Sequence, residues 1–172
     1  LHKKLAILYE FIISGSEYYW RHRWVEAHKR DEKVEYKNID VYNPDRGWAL
    51  MPNLKNKVFK GSAVNSNSRG ERGSVEALDA REKALFFGDS FCFGEDVNDN
   101  QTIPYFFEEK TKGFQAINLG VHGYGIDQQF LYFKEAGASY NPKLICFVIY
   151  YEDFVRNALS FRDFAKPRFM IK

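Results

Sequence analysis

Cysteine is scarce in this chain: Cys92 and Cys146 are its two thiols in 172 residues. Two cysteines cannot build the cross-linked framework of a small secreted domain, and their spacing matches no metal-binding motif. Each sits among Phe, Ile and Val, which reads as a buried thiol. A disulfide between them stays open as the alternative, and with it the redox compartment. Long apolar runs are also missing. "LAILYEFII" near the start has nine residues, with Glu10 inside it and Lys3 and Lys4 in front. A membrane span needs roughly 18–20, and no small-residue cleavage site makes this stretch a signal peptide. Charge of one sign is lacking as well. Lys and Arg number 25 against 23 Asp and Glu, a formal charge of +2, so bulk electrostatics calls for no nucleic-acid partner. The basic cluster Arg21, Arg23, Lys29 and Arg30 runs straight into Asp31, Glu32 and Glu35, which marks a solvated face. There is no internal repeat and no low-complexity tract. No Gly-x-Gly-x-x-Gly follows the first strand-like run of the second half, which removes the dinucleotide reading.

Aromatics are abundant, with 16 Phe and 11 Tyr, and the length suits one domain with a true core. Three stretches differ in character. Residues 1–35 read as an N-terminal helical segment, with Leu5, Leu8, Tyr9 and Ile12 at helical spacing and no proline before Pro44. The aromatic "EYYWRHRW" within it suits packing on a core, a partner or a membrane surface. Residues 36–83 read as an irregular lead-in, with a turn signal in "YNPDRGW" and a polar Gly/Ser/Asn-rich tract, "NKVFKGSAVNSNSRGERGS". They predict loops and at most one hairpin.

Residues 84–172 form the α/β part. "ALFFGDS", "FQAINLG" and "PKLICFVIYY" are apolar without alternation, as strands buried on both faces are. Between them lie two helical stretches. In "QTIPYFFEEKTKG", Thr102 is the N-cap, Pro104 is in the first turn and Gly113 is the stop; "IDQQFLYFKEAGASY" starts beside Asp127. Alternating strands and helices with short links predict a parallel sheet. Ligands of such sheets gather at the carboxyl ends of the strands. Here those ends are "GDS" (88–90), "GVHGYG" (120–125) and "YYEDF" (150–154), and all three fall on one rim. A serine hydroxyl there suits attack on a carbonyl, with the amides of Ser90 and Gly123 facing the developing oxyanion. As a bare tripeptide, Gly-Asp-Ser is equally a turn sequence.

Taken together, "FFGDSFCFGEDV", "INLGVHGYGIDQQ" and "VIYYEDFVRN" resemble the first three blocks of the SGNH, or GDSL, hydrolases in order and spacing. Upstream, "NPDRGWALMPN" and "NSNSRGERG" resemble the lead-in of bacterial members that act on acylated carbohydrate or carry a membrane-proximal segment. The resemblance covers about residues 40–160. It implies a flavodoxin-like three-layer α/β/α fold with a parallel sheet, incomplete at the C-terminal end. The implied activity is that of a serine esterase or O-acyltransferase working through an acyl-serine, with no cofactor and no metal. Carried over residue by residue, it makes Ser90 the nucleophile, Asp89 its motif neighbour and Gly123 an oxyanion donor. His122, Tyr124 and Asp153 then lie near substrate on the same rim.

Two departures stand out. The third block normally presents an Asn whose amide is a further oxyanion donor, and Glu152 stands in that place. Losing one such donor typically costs on the order of 10²–10³ in rate. The last block, Asp-x-x-His, is missing, because no His follows His122 and Asp163 leads into Phe-Ala-Lys. The chain begins with Leu and ends on "FAKPRFMIK", so both ends read as cut and the general base is expected outside these residues. The resemblance implies a glycan or other ester as partner, membrane proximity through sequence upstream of residue 1, and a cell-envelope or periplasmic place, with a cytoplasmic one left open. A domain that keeps this scaffold without catalysis, binding glycan or a partner protein, is the alternative.

Overall fold

The three unalternated apolar runs become three parallel strands; the first two are covered on both faces, but the third lies at the edge of the sheet and alternates half-buried with exposed positions, which corrects its expected burial on both faces. The computed structural model describes Ile12 and residues 15–28, 39–79 and 81–170. In chain order the elements are α1 (Glu17–His28), two antiparallel hairpins β1–β2 (Asp40–Asn43, Gly47–Leu50) and β3–β4 (Lys57–Phe59, Ser62–Val64), β5 (Glu82–Gly88), α2 (Ser90–Phe93), α3 (Ile103–Lys110), β6 (Phe114–Gly120), α4 (Ile126–Ala136), β7 (Leu144–Val148) and α5 (Tyr151–Arg156). The sheet order is β6-β5-β7, all parallel, with Gly88 level with both Gly120 and Val148.

Successive side chains of a strand point to opposite faces, and β5 divides accordingly. Leu85 and Phe87 join Ile117, Leu119, Tyr132 and Ala136 on the α4 side. Ala84 and Phe86 pack with Cys92, Phe107 and Ala116 on the α2–α3 side. The chain is thus a mixed α/β protein with helices on both faces of a three-stranded parallel sheet. The outer edge of β6 is capped by the Arg72 amide, which donates to the Asn118 carbonyl at 3.1 Å. The outer edge of β7 is free among the described residues, with Ile145 and Phe147 each 39% exposed.

Several expectations are revised. The lead-in carries two hairpins rather than one, and it does not stand apart from the α/β part. Its Ile39, Leu50, Leu54, Phe59 and Val64 enclose Phe93 of α2, and Trp48 sits in the α4-side core. A buried Arg72 donates to the carbonyls of Phe93, Gly94 and Val97 and to the Asp99 carboxylate. α3 ends at Lys110, before Gly113, with the Thr111 amide closing the last turn. Both cysteines are free thiols; Cys92 is fully buried, which raises its pKa, and Cys146 is partly buried. Of the expected N-terminal helical segment, α1 is the helix described; residues 1–11 and 29–35 lie outside the described residues. No helix among the described residues is long and apolar enough to cross a membrane.

After α5 the chain returns across the rim. The buried ammonium of Lys166 donates to Asp127 at 2.5 Å and to the carbonyls of Arg156, Leu159 and Pro167. α1 docks on this return: Glu17 accepts from the Ser160 amide and hydroxyl, and Phe161 lies under Arg21 and against Trp24.

Candidate functional site

The register of the sheet brings the ends of β5, β6 and β7 together. The Val121 amide donates to the Gly88 carbonyl at 3.1 Å, which closes the first end on the second. Side chains are kept small at this junction. A Cβ on Gly88 would lie 2.8 Å from the Val148 carbonyl oxygen, and one on Gly120 would lie 2.8 Å from the Cys92 carbonyl carbon. The two glycines let α2 and β7 approach β5 and β6 at backbone distance.

Ser90 is half-buried at the start of α2. Its hydroxyl makes no hydrogen bond among the described residues, and neither its amide nor that of Gly123 donates to an acceptor there. Asp89 is fully buried and turns inward from the serine. One carboxylate oxygen accepts from the Phe91 amide at 2.9 Å and caps α2, while the other accepts from Arg156 at 2.9 Å. Gly123 has φ +78°, a left-handed conformation that disfavours any side chain. Above it lies the ion pair of Arg162 and Asp163: a Cβ here would stand 2.9 Å from an Asp163 oxygen and 3.1 Å from Arg162 Cζ. The Arg162 guanidinium is in turn 4.6 Å from the ring centre of Trp20 in α1.

Arg156 is the hub behind the rim. Its Nη1 donates to Asp89, to Asp153 at 2.7 Å and to the Tyr124 carbonyl at 3.1 Å; its Nη2 donates to Glu152 at 3.1 Å. Burial alone would lower the Arg156 pKa, but the hydrogen bond and charge of Asp89, with Asp153 and Glu152, raise it, so the group stays a cation. Glu152 is spoken for by Arg156 and by the Tyr151 hydroxyl at 3.4 Å. Asp153, fully buried, accepts from the Tyr150 amide and from Gln129 Nε2. Burial first, then the charge of Asp89, pushes its pKa up to about 6.

A folded-state pKa above the ordinary carboxylate value means that the native protein takes up a proton the unfolded chain does not. Stability contributed by Asp153 is therefore greatest below about pH 4 and declines as pH rises toward about 6. Gln129 Oε1, buried and unpartnered among the described residues, offers the protonated carboxyl an acceptor once the amide turns over. Urea unfolding of the native chain and of Asp153→Asn between pH 4 and 7 should show a stability difference that changes across this window. A pH-independent difference would refute the assignment.

His122 and Tyr124 are not positioned to meet a substrate, and here the sequence reading is corrected. The strand end that carries them turns both side chains inward. His122 is 2% exposed, its Nε2 donates to Asp40 at 2.8 Å, and its ring packs between Phe59 and Phe93. Tyr124 is fully buried, accepts from Arg46 and donates to the Trp48 carbonyl. Asp153 is buried as well and reaches the rim only through Arg156. Ser90 and the tip of Glu152 remain partly exposed, along with Arg162 and Asp163, while Gly123 is buried beneath that ion pair; Arg162 was not singled out in the sequence. Arg156 was also missed; its signal was the i,i+3 and i,i+4 spacing to Asp153 and Glu152. Among the described residues no cluster of three or more His, Cys, Asp or Glu is placed to hold a metal ion. No protein-family model matches the sequence, and no curated protein matches it.

Proposed function

We propose that this chain is a serine-dependent acyl-transfer domain of the SGNH type, flavodoxin-like in architecture, which hydrolyses or transfers the ester of an acylated carbohydrate at the cell envelope. The observation that carries the reading is the junction of the three strand ends. Among the described residues the Ser90 hydroxyl and the Ser90 and Gly123 amides of these strand ends make no hydrogen bond, and Asp89 of the first block is tied to Asp153 of the third through Arg156.

In this reading Ser90 Oγ attacks the ester carbonyl and gives up its proton to a base. The electron pair displaced onto the carbonyl oxygen is met by the Ser90 and Gly123 amides. Collapse breaks the bond to the alcohol, which leaves with a proton, and the acyl group stays on Ser90. Water or a sugar hydroxyl then attacks the acyl-serine and restores the enzyme. Asp89 acts by positioning: it caps α2 and holds the strand end against Arg156.

One observation favours a second reading. Among the described residues no imidazole or carboxylate is hydrogen-bonded to the Ser90 hydroxyl. With Glu152 engaged by Arg156, a domain of this build that binds a glycan or a protein without turnover is the competing function.

A fluorophosphonate probe separates the two. The full-length protein should be labelled, the adduct should map to Ser90, and Ser90→Ala should abolish it. A folded full-length protein that takes no label at Ser90 would leave the binding reading.

A further inference from the structure

Beside Ser90 the wall of the rim opens into a cavity of about 350 Å³ between α2 and the start of α3. Ser90 itself forms part of its lining. Phe91, Val97 and Ile103 give it apolar surface, Phe91 and Ile103 being 56% and 48% exposed. The cavity is held open from behind. Arg72, buried under the loop that follows α2, donates to the Phe93, Gly94 and Val97 carbonyls at 3.1, 2.9 and 2.8 Å. Gly94 has φ +79°, and a Cβ there would press on Thr102 and Val97, so the glycine keeps the floor clear. Thr102 caps α3 by accepting from the Tyr105 amide, which fixes the far wall.

We propose that this cavity receives the acyl group of the ester that Ser90 attacks, and that the acyl group is an uncharged aliphatic chain longer than acetyl. The inference rests on the acyl-transfer reading above and names its substrate class. Continuity with Ser90 selects the acyl side of the ester, because the carbonyl carbon bonded to Oγ must carry its chain into the nearest open space. The apolar patches select a hydrocarbon. Two carboxylates at the lip select against an anionic tip. Glu95 is paired with Lys60 at 2.8 Å, but Asp96 has no ion pair among the described residues and would repel a carboxylate-ended chain.

The experiment compares p-nitrophenyl acetate, butyrate and hexanoate, together with a hexanoate-length ester ending in a carboxylate, on the full-length protein. Each methylene that leaves water for the cavity is worth about a fourfold gain, so kcat/KM should rise at least tenfold from acetate to hexanoate. The carboxylate-ended ester should fall back at least tenfold from hexanoate. Ile103→Trp places an indole in the cavity from a half-exposed position, and should bring the hexanoate-to-acetate ratio down to about one. A native ratio of one or less, or a ratio that Ile103→Trp leaves unchanged, overturns the acyl-pocket assignment while Ser90 labelling keeps the acyl-transfer reading alive. Failure of both turnover and labelling overturns both.

Discussion

Replacing Arg156 by leucine is expected to destabilise the domain by about 3–5 kcal/mol at pH 7, the range found when one partner of a buried ion pair is removed. The reason lies in what stays behind. Asp89 and Asp153 are both fully buried, and Arg156 is the one cation that donates to both among the described residues. Without it two carboxylates face each other in a site that excludes water, and a third acceptor, the Tyr124 carbonyl, loses its donor. For a domain of this size the melting temperature should fall by roughly 10–15 °C. Two checks separate this mechanism from simple loss of packing. Acidification toward pH 4 should recover part of the loss, because protonation removes the stranded charges. Asp153→Asn added to Arg156→Leu should recover part of it at pH 7, as coupled sites do. A melting temperature within 3 °C of the native value would mean that the three groups do not form the network described.

The same network shows where the sequence was readable and where it was not. The three strands were legible from their unbroken apolar runs, although β7 at the sheet edge alternates in burial where β5 and β6 do not, and β5, β6 and β7 fall within "ALFFGDS", "FQAINLG" and "PKLICFVIYY" with β5 starting two residues early. The meeting of their ends followed from parallel pairing alone. The hairpins of the lead-in were not legible as two. Their strands are three or four residues long, and "DVYN" and "SAV" carry no strong β signal; they are held by contacts that span much of the chain, such as Trp48 Nε1 donating to the His122 carbonyl. The direction of His122 was hidden for the same reason. A histidine beside a glycine at a strand end reads as a rim residue, and only Asp40, 82 positions away, reveals that it turns inward. Arg156 carries the strongest electrostatic role on the rim, yet in the sequence it is one basic residue in an ordinary polar helix. Its importance comes from Asp89, which reaches it only after the sheet has formed.

Gly120→Ala should be strongly destabilising, with a loss of about 3–5 kcal/mol. Overpacking usually costs 1–3 kcal/mol because side chains yield, but here the obstacle is backbone. The new methyl would overlap the Phe93 amide nitrogen and stand 2.8 Å from the Cys92 carbonyl carbon and 2.9 Å from Phe93 Cα. α2 can give way only by lifting off β6, and it is pinned on three sides. The Asp89 carboxylate caps it, Arg72 holds the Phe93 and Gly94 carbonyls, and Asn118 Nδ2 donates to the Cys92 carbonyl. Lifting α2 also carries Ser90 away from the strand junction, so the variant should lose fluorophosphonate labelling even in the fraction that remains folded. Gly61→Ala supplies the scale: its Cβ meets nothing within 4 Å, and its φ of +84° leaves only the left-handed penalty of about 1–2 kcal/mol. Urea unfolding that ranks Gly120→Ala level with Gly61→Ala would mean that α2 is free to move against the sheet, and that the serine is not held at the strand junction by the packing beneath it.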